Sequence, residues 1–337
     1  MGTATRPPSP FSDLDPVERQ TFTRHASAAM LDSAFMAVCW SAPDIAVKGL
    51  RAETFVVVLI TLAPGAAQLL SLGLGKTMAR LGRRRLLRVA AIAGRLPLIG
   101  VYFAAGPYSF LGLLVVQAIS QVAITTSWNS LLRANYRPDR RGALFAAATM
   151  AGSMASGSTM VLTGLWLDRD ATAYHVIYPI AAIVGVVACF VFASIDVRRG
   201  YEADEREGLA AGELVRTFLR DRRFLLYEIG FFLYGLAFMS LMTSKPLRMA
   251  RPNQLDFAYS VLLGAKGVFA VSMAAGVLFM GRLMDRLGPA GLAMRCYALL
   301  VVYAGLLMVV SAPWQYFVAE ALMGVAMGGV HIAWNLG

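Results

Sequence analysis

The sequence predicts an all-α, polytopic membrane protein with about ten transmembrane helices, arranged as six plus four. Three observations carry that reading. Of the 337 residues, 58% are hydrophobic and only 15% are charged, where soluble domains carry roughly 25% charged residues. Ten stretches approach the roughly 20 apolar residues that cross hydrocarbon as a helix. A short basic turn is also written twice, as GKTMARLGRR from residue 75 and as GRLMDRLGPA from residue 281.

The ten spans are approximately 28–47, 54–74, 86–105, 109–131, 143–166, 174–195, 223–243, 257–280, 294–311 and 314–335. Helix is forced on them because hydrocarbon offers no partner to unpaired backbone groups. The alternating pattern of a membrane barrel is absent. Residues 1–27 are polar, with Pro7, Pro8, Pro10 and Pro16. They lack the apolar run of a cleaved signal and read as a largely disordered cytoplasmic tail. Residues 28–195 form a first six-helix bundle, 196–222 a charged cytoplasmic connector, and 223–337 a second bundle with four helices present.

The basic residues set the orientation. With the N-terminus inside, 23 of the 31 lysines and arginines fall on the inner side and six on the outer, as the positive-inside rule requires. The net charge of +11 therefore belongs to membrane topology, and Arg83, Arg84 and Arg85 are a topology signal rather than a nucleic-acid contact. The expected location is the inner or plasma membrane. Lipid is the bulk partner, a small solute the specific one, and protons a candidate coupling ion. Oligomeric state is not legible.

The 206-residue displacement holds beyond the turn. Pro107 matches Pro313, and Trp128 with Asn129 matches Trp334 with Asn335. The chain is a tandem duplication with a period of six spans and a connector. Such a six-plus-six pattern, with a G-x-x-x-D-R-x-G-R-R turn between spans 2 and 3, resembles the major facilitator superfamily, whose halves are related by an axis along the membrane normal. The second turn carries the acidic residue of that pattern, Asp285; the first has Ala79 in its place. The resemblance implies a conformational latch at Gly75, Arg80, Gly82, Arg83, Gly281, Asp285, Arg286 and Gly288. It also implies spans 11 and 12, which this sequence does not contain. A truncated chain is the expected reading, and a working ten-span protein the alternative.

No P-loop, GxSxG or HExxH motif is present, and three histidines are too few for a metal cluster. Catalytic residues, metals and cofactors are accordingly not expected. Cys39, Cys189 and Cys296 stand singly in apolar runs and read as packing residues. Ionisable groups inside spans are the functional candidates, because charge is costly in hydrocarbon. Asp32 in span 1 is a candidate protonatable or solute-facing carboxylate. Gln117, Gln121 and Thr125 share one face of span 4, and spans 1, 4, 7 and 10 line the pathway in the resembled family. Glu320 in span 10 is the leading proton-coupling candidate, with His331 on the same face. Arg95 in span 3 needs a partner, and Asp32 can supply it. Asp44 reads as solvated, and Lys266 as a snorkelling or cavity-facing cation.

The function these features imply is secondary transport of a small solute by alternating access. One rival is a non-transporting membrane receptor or assembly scaffold; another, disfavoured by the few histidines and acids, is a membrane-embedded enzyme.

Overall fold

The computed structural model describes residues 14–71, 81–196 and 222–336. Seven helices among them are long and apolar enough to cross a membrane. The helices Thr54–Gln68, Pro138–Arg169 and Arg222–Met249 make up ten helical passages with these. Pro138–Arg169 (span 5) has low hydropathy because alanine, glycine, serine and threonine replace the larger aliphatics. Small side chains let neighbouring helices approach closely.

Span 1 begins earlier than its hydropathy indicates. The helix Pro16–Trp40 starts where Asp15 accepts a hydrogen bond from the Glu18 amide at 2.8 Å, with Pro16 in the first helical position. An aspartate before a proline is a strong helix start, so residues 16–27 are ordered helix and not tail. Glu18, Thr21 and His25 are buried there. The helix breaks at Ser41, whose amide turns back to Ala37 and Val38, and resumes as the short helix Ala42–Lys48 with Pro43 in its first turn. The break leaves the Trp40 carbonyl without the Asp44 amide, which bonds Ser41 instead.

Span 3 is wound three ways. Arg83–Ala90 is α-helical, Ala91–Arg95 is a π-helix and Leu96–Phe103 is a 3₁₀-helix. Pro97 has no amide to give to an α-helical ladder, and π segments collect where side chains are needed at special angles. Spans 8 and 9 run through Tyr259–Val309 and are separated at Gly288, with φ +69° and ψ 167°. Gly82 opens span 3 with φ +74° and ψ 148°. A Cβ at either glycine would meet nothing within 4 Å. The backbone conformation alone demands glycine there, at two positions related by the internal repeat.

The apolar cores show how the halves meet. At one end a single buried cluster joins both halves: Phe35, Ile45, Val56 and Tyr178 pack in continuity with Tyr259, Leu262, Tyr303 and Tyr316. At the other end each half keeps its own cluster. One contains Leu87, Ile124, Tyr136 and Phe192; the other contains Met280, Leu292, Cys296 and Val330. Spans 5 and 8 cross closely at the joined end. A Cβ on Gly164 would lie 2.8 Å from the Tyr259 carbonyl oxygen, and one on Gly267 would lie 3.1 Å from that of Gly157. The three cysteines are buried and free, as their apolar settings led one to expect.

Candidate functional site

Two polar clusters interrupt the apolar interior. The first joins spans 1, 3, 4 and 6. Arg95, 0% exposed, donates from Nη2 to an Asp32 carboxylate oxygen and to Gln121 Oε1 at 2.9 Å, and from Nη1 to the Gly185 carbonyl at 2.7 Å. Its guanidinium also lies 4.5 Å from the Phe35 ring centre. Arginine stays charged under all ordinary conditions, so burial here is tolerable only with such a set of acceptors. The Asp32 pairing expected from the sequence is present.

That network forms the back wall of a cavity of about 200 Å³, lined by Asp32, Gln121, Ile124, Thr125, Trp128 and Phe145. Trp128 is held from behind by stacking on Phe192 at 3.9 Å and by an edge contact with His25. Asp32, Gln121 and Thr125, each predicted from the sequence, thus come together. Gln117 does not join them: it is buried between helices, with its amide 3.6 Å from the Met36 sulfur.

The second cluster joins spans 7, 9 and 10. Glu320 accepts from Lys245 Nζ at 3.0 Å and from the Tyr303 hydroxyl at 2.7 Å. The side chains of Glu320 and Lys245 are 1% and 7% exposed, so this pair is sealed within protein. Lys245, which reads as an outer-loop cation in the sequence, is in fact inside the helix Arg222–Met249. Its signal was available, since it directly precedes Pro246 at the end of an apolar run. His331 is exposed and sits eleven residues beyond Glu320, roughly 16 Å along the helix axis. The two do not form one site.

A third group of contacts bridges the halves at their joined end. Lys266 of span 8 donates to the Asp44 carboxylate and, at 2.7 Å, to the freed Trp40 carbonyl. Asp44 is therefore a buried half of an ion pair and not a solvated residue. Lys48 pairs with Asp256, and Arg251 donates to Thr54 Oγ1 at 2.7 Å. Asp168, near the end of span 5, accepts the Tyr259 and Ser260 amides at 2.7 and 3.0 Å. These amides open span 8, so the carboxylate also complements the positive end of that helix. Neither the Trp40 carbonyl nor Asp168 could have been picked from sequence, because each bond joins a backbone group to a side chain more than 90 positions away.

At the opposite end several polar contacts among the described residues tie the first half together. Arg84 bonds Asp196, Asn135 bonds Thr21 and the Asp196 carbonyl, and Glu18 accepts the Arg137 amide. Of the latch candidates, Gly82 and Gly288 hold the paired left-handed turns, Gly281 lies within helix, and Arg286 is exposed. Gly75 and Arg80 lie outside the described residues, as do the side chains of Arg83 and Asp285.

Comparison with known proteins agrees with this architecture. A point mutant of the nucleoside transporter NupG superposes with a TM-score of 0.77 at 11% identity, over 93% of this chain and 81% of that one. A bacterial homologue of the human lysosomal transporter Spinster, inward-facing and unoccupied, gives 0.67 at 14% identity, over 95% and 75%. The xylose transporter XylE from E. coli, in a partially occluded inward-open state, gives 0.58 at 13% identity, over 95% and 84%. At such identities the likeness is one of fold. A search of curated protein sequences finds no match. The sequence profile described as Major Facilitator Superfamily matches residues 27–336. With its duplicated helical halves and its polar cavity in an apolar bundle, this multi-pass membrane protein belongs to the Major Facilitator Superfamily of secondary transporters.

Proposed function

We propose that the chain carries a small solute across the cell membrane by alternating access, driven by an ion or solute gradient, with its N-terminus in the cytoplasm. The observation that carries the reading is the asymmetry of the closure. Ion pairs, a helix cap and a shared apolar core join the halves at one end, while among the described residues the cores are separate at the other. The basic-residue count supports placing the joined end on the outside. The arrangement thus corresponds to a state open to the cytoplasm, and the halves would rock about the cavity to open the outer side.

If protons drive the cycle, Asp32 is better placed than Glu320 to exchange them. The Asp32 side chain lines the cavity at 18% exposure, whereas Glu320 at 1% has Lys245 and Tyr303 as fixed partners. The latch role of Gly82, Gly288 and the neighbouring arginines belongs to the same reading: rigid turns hold the basic loops at the anionic inner leaflet.

The test is solute counterflow in proteoliposomes loaded with a metabolite mixture. Uptake of label against an equal internal pool, lost in Asp32→Asn, supports the reading. A folded, correctly inserted protein that exchanges nothing would instead support the receptor or scaffold alternative.

A further inference from the structure

We infer that the cavity behind Asp32 takes an uncharged ring bearing several hydroxyl groups, of the size of a monosaccharide or of the sugar end of a nucleoside. The inference deepens the transport reading, and rests on it for treating this cavity as part of the solute path.

Charge is the first constraint. Asp32 is the one ionisable residue among the described lining residues, and Arg95 behind it already supplies the counter-charge. The wall is therefore close to net neutral. An anion entering it would lose hydration and meet a carboxylate with no free cation among the described lining residues. A cation would meet a carboxylate whose charge is already matched. Neutral solutes carry neither cost.

Hydrogen-bond polarity is the second. A guanidinium can only donate, so Gln121 must turn its Oε1 toward Arg95. Its Nε2 then lies on the Thr125 side, 3.5 Å from Oγ1. Along this wall the groups run acceptor (Asp32), donor (the Gln121 amide), then donor and acceptor (Thr125). Hydroxyl groups, which both donate and accept, match that sequence; an ester or a hydrocarbon does not. Arg95 is a positioning residue in this arrangement: it touches no solute but fixes the carboxylate and the direction of the amide.

The third constraint is shape. Trp128 and Phe145 complete the lining, both in ring contact with His25 of span 1, and Trp128 is immobilised by Phe192. Aromatic side chains beside polar ones suit a ring with one C–H-rich face and hydroxyls at its edge. At about 200 Å³ the cavity is smaller than the pockets that take drug-sized ligands, which favours a solute of a single ring.

The experiment is binding to the purified full chain in lipid nanodiscs, read by thermal shift and titration calorimetry. The probes are D-glucose and uridine as neutral ligands, glucuronate and uridine monophosphate as anions, and glucosamine as a cation. At least one neutral probe should bind, at least tenfold more tightly than its charged counterparts. Thr125→Val and Gln121→Leu should each weaken it by about tenfold, while Ser240→Ala, a substitution remote from the cavity, should leave it unchanged. Glucose against uridine identifies which source of the ring is preferred. Tighter binding of an anion or the cation, or no binding by any probe, overturns the inference. Counterflow of a solute outside the class would overturn it too, yet leave the transport reading standing. Conversely, a neutral probe that binds as described but is never exchanged would sink transport and spare the site.

Discussion

The two halves of the molecule answer one problem, a charge inside an apolar bundle, in opposite ways. In the first half the cation is on span 3 and its acid on span 1, and the pair borders a cavity. In the second half the cation is on span 7 and its acid on span 10, with a tyrosine from span 9 closing the cluster against water. Neither cluster is a copy of the other: the repeat aligns Glu320 with Leu114 and Arg95 with Val301. The turns at Gly82 and Gly288 recur in both halves, while the buried charges do not. A cluster left partly wet is available for binding, whereas a sealed one braces the bundle.

That contrast can be broken most severely at Glu320. Glu320→Leu strands Lys245 as an uncompensated buried cation, and losing one partner of such a pair costs about 3–5 kcal/mol. The melting temperature should fall sharply, and adding Lys245→Met should recover most of the loss. Asp32→Asn, by contrast, should cost less stability, because Arg95 keeps the Gly185 carbonyl and Gln121, while abolishing exchange. Equal stability losses for the two acids would erase the distinction between a binding cluster and a bracing one.

The next effect concerns what the halves still share. Gly82→Ala and Gly288→Ala should each destabilise by about 1–3 kcal/mol, since a side chain is strained in that backbone region. Thermal melting of each single variant gives the comparison; a cost at only one position would mean that the two turns are no longer equivalent.

Smaller effects are expected where the halves touch. Lys266→Met leaves Asp44 buried without its counter-charge in the closed arrangement, so opening that rehydrates it becomes easier by about tenfold, or 1.4 kcal/mol. Labelling of Ile45→Cys by a membrane-impermeant reagent reads this directly. Asp168→Asn should shift the same labelling by only a few-fold, since the remaining amide oxygen still accepts from one of the Tyr259 and Ser260 amides, while the second bond and the charge assistance are lost.

Much of this is legible in the residue order. Apolar length marks the helical passages, and the repeat marks the paired turns at Gly82 and Gly288. The cost of burying Arg95 is enough to name Asp32 as its partner. The start of span 1 escapes hydropathy, which rates Glu18, Arg19 and Arg24 as polar and ignores the cap at Asp15. Asp44 and Lys245 look solvated because position along a span says nothing of what covers them in the folded chain. Asp168 and the Trp40 carbonyl answer to groups far away in sequence, and a one-dimensional pattern holds no trace of such pairings. Tyr303 escapes notice for a related reason: a tyrosine in an apolar run looks like packing until an acid is found beside its hydroxyl.

Span 3 has a consequence for length. A 3₁₀-helix advances about 2.0 Å per residue against 1.5 Å for an α-helix, so the eight residues Leu96–Phe103 reach about 4 Å farther than α-winding would take them. A modest stretch of chain thereby bridges a slab of lipid that would otherwise need two or three more residues. Such a taut segment has little slack, so bilayer thickness should be felt first at Pro97 and transmitted to the guanidinium two residues before it.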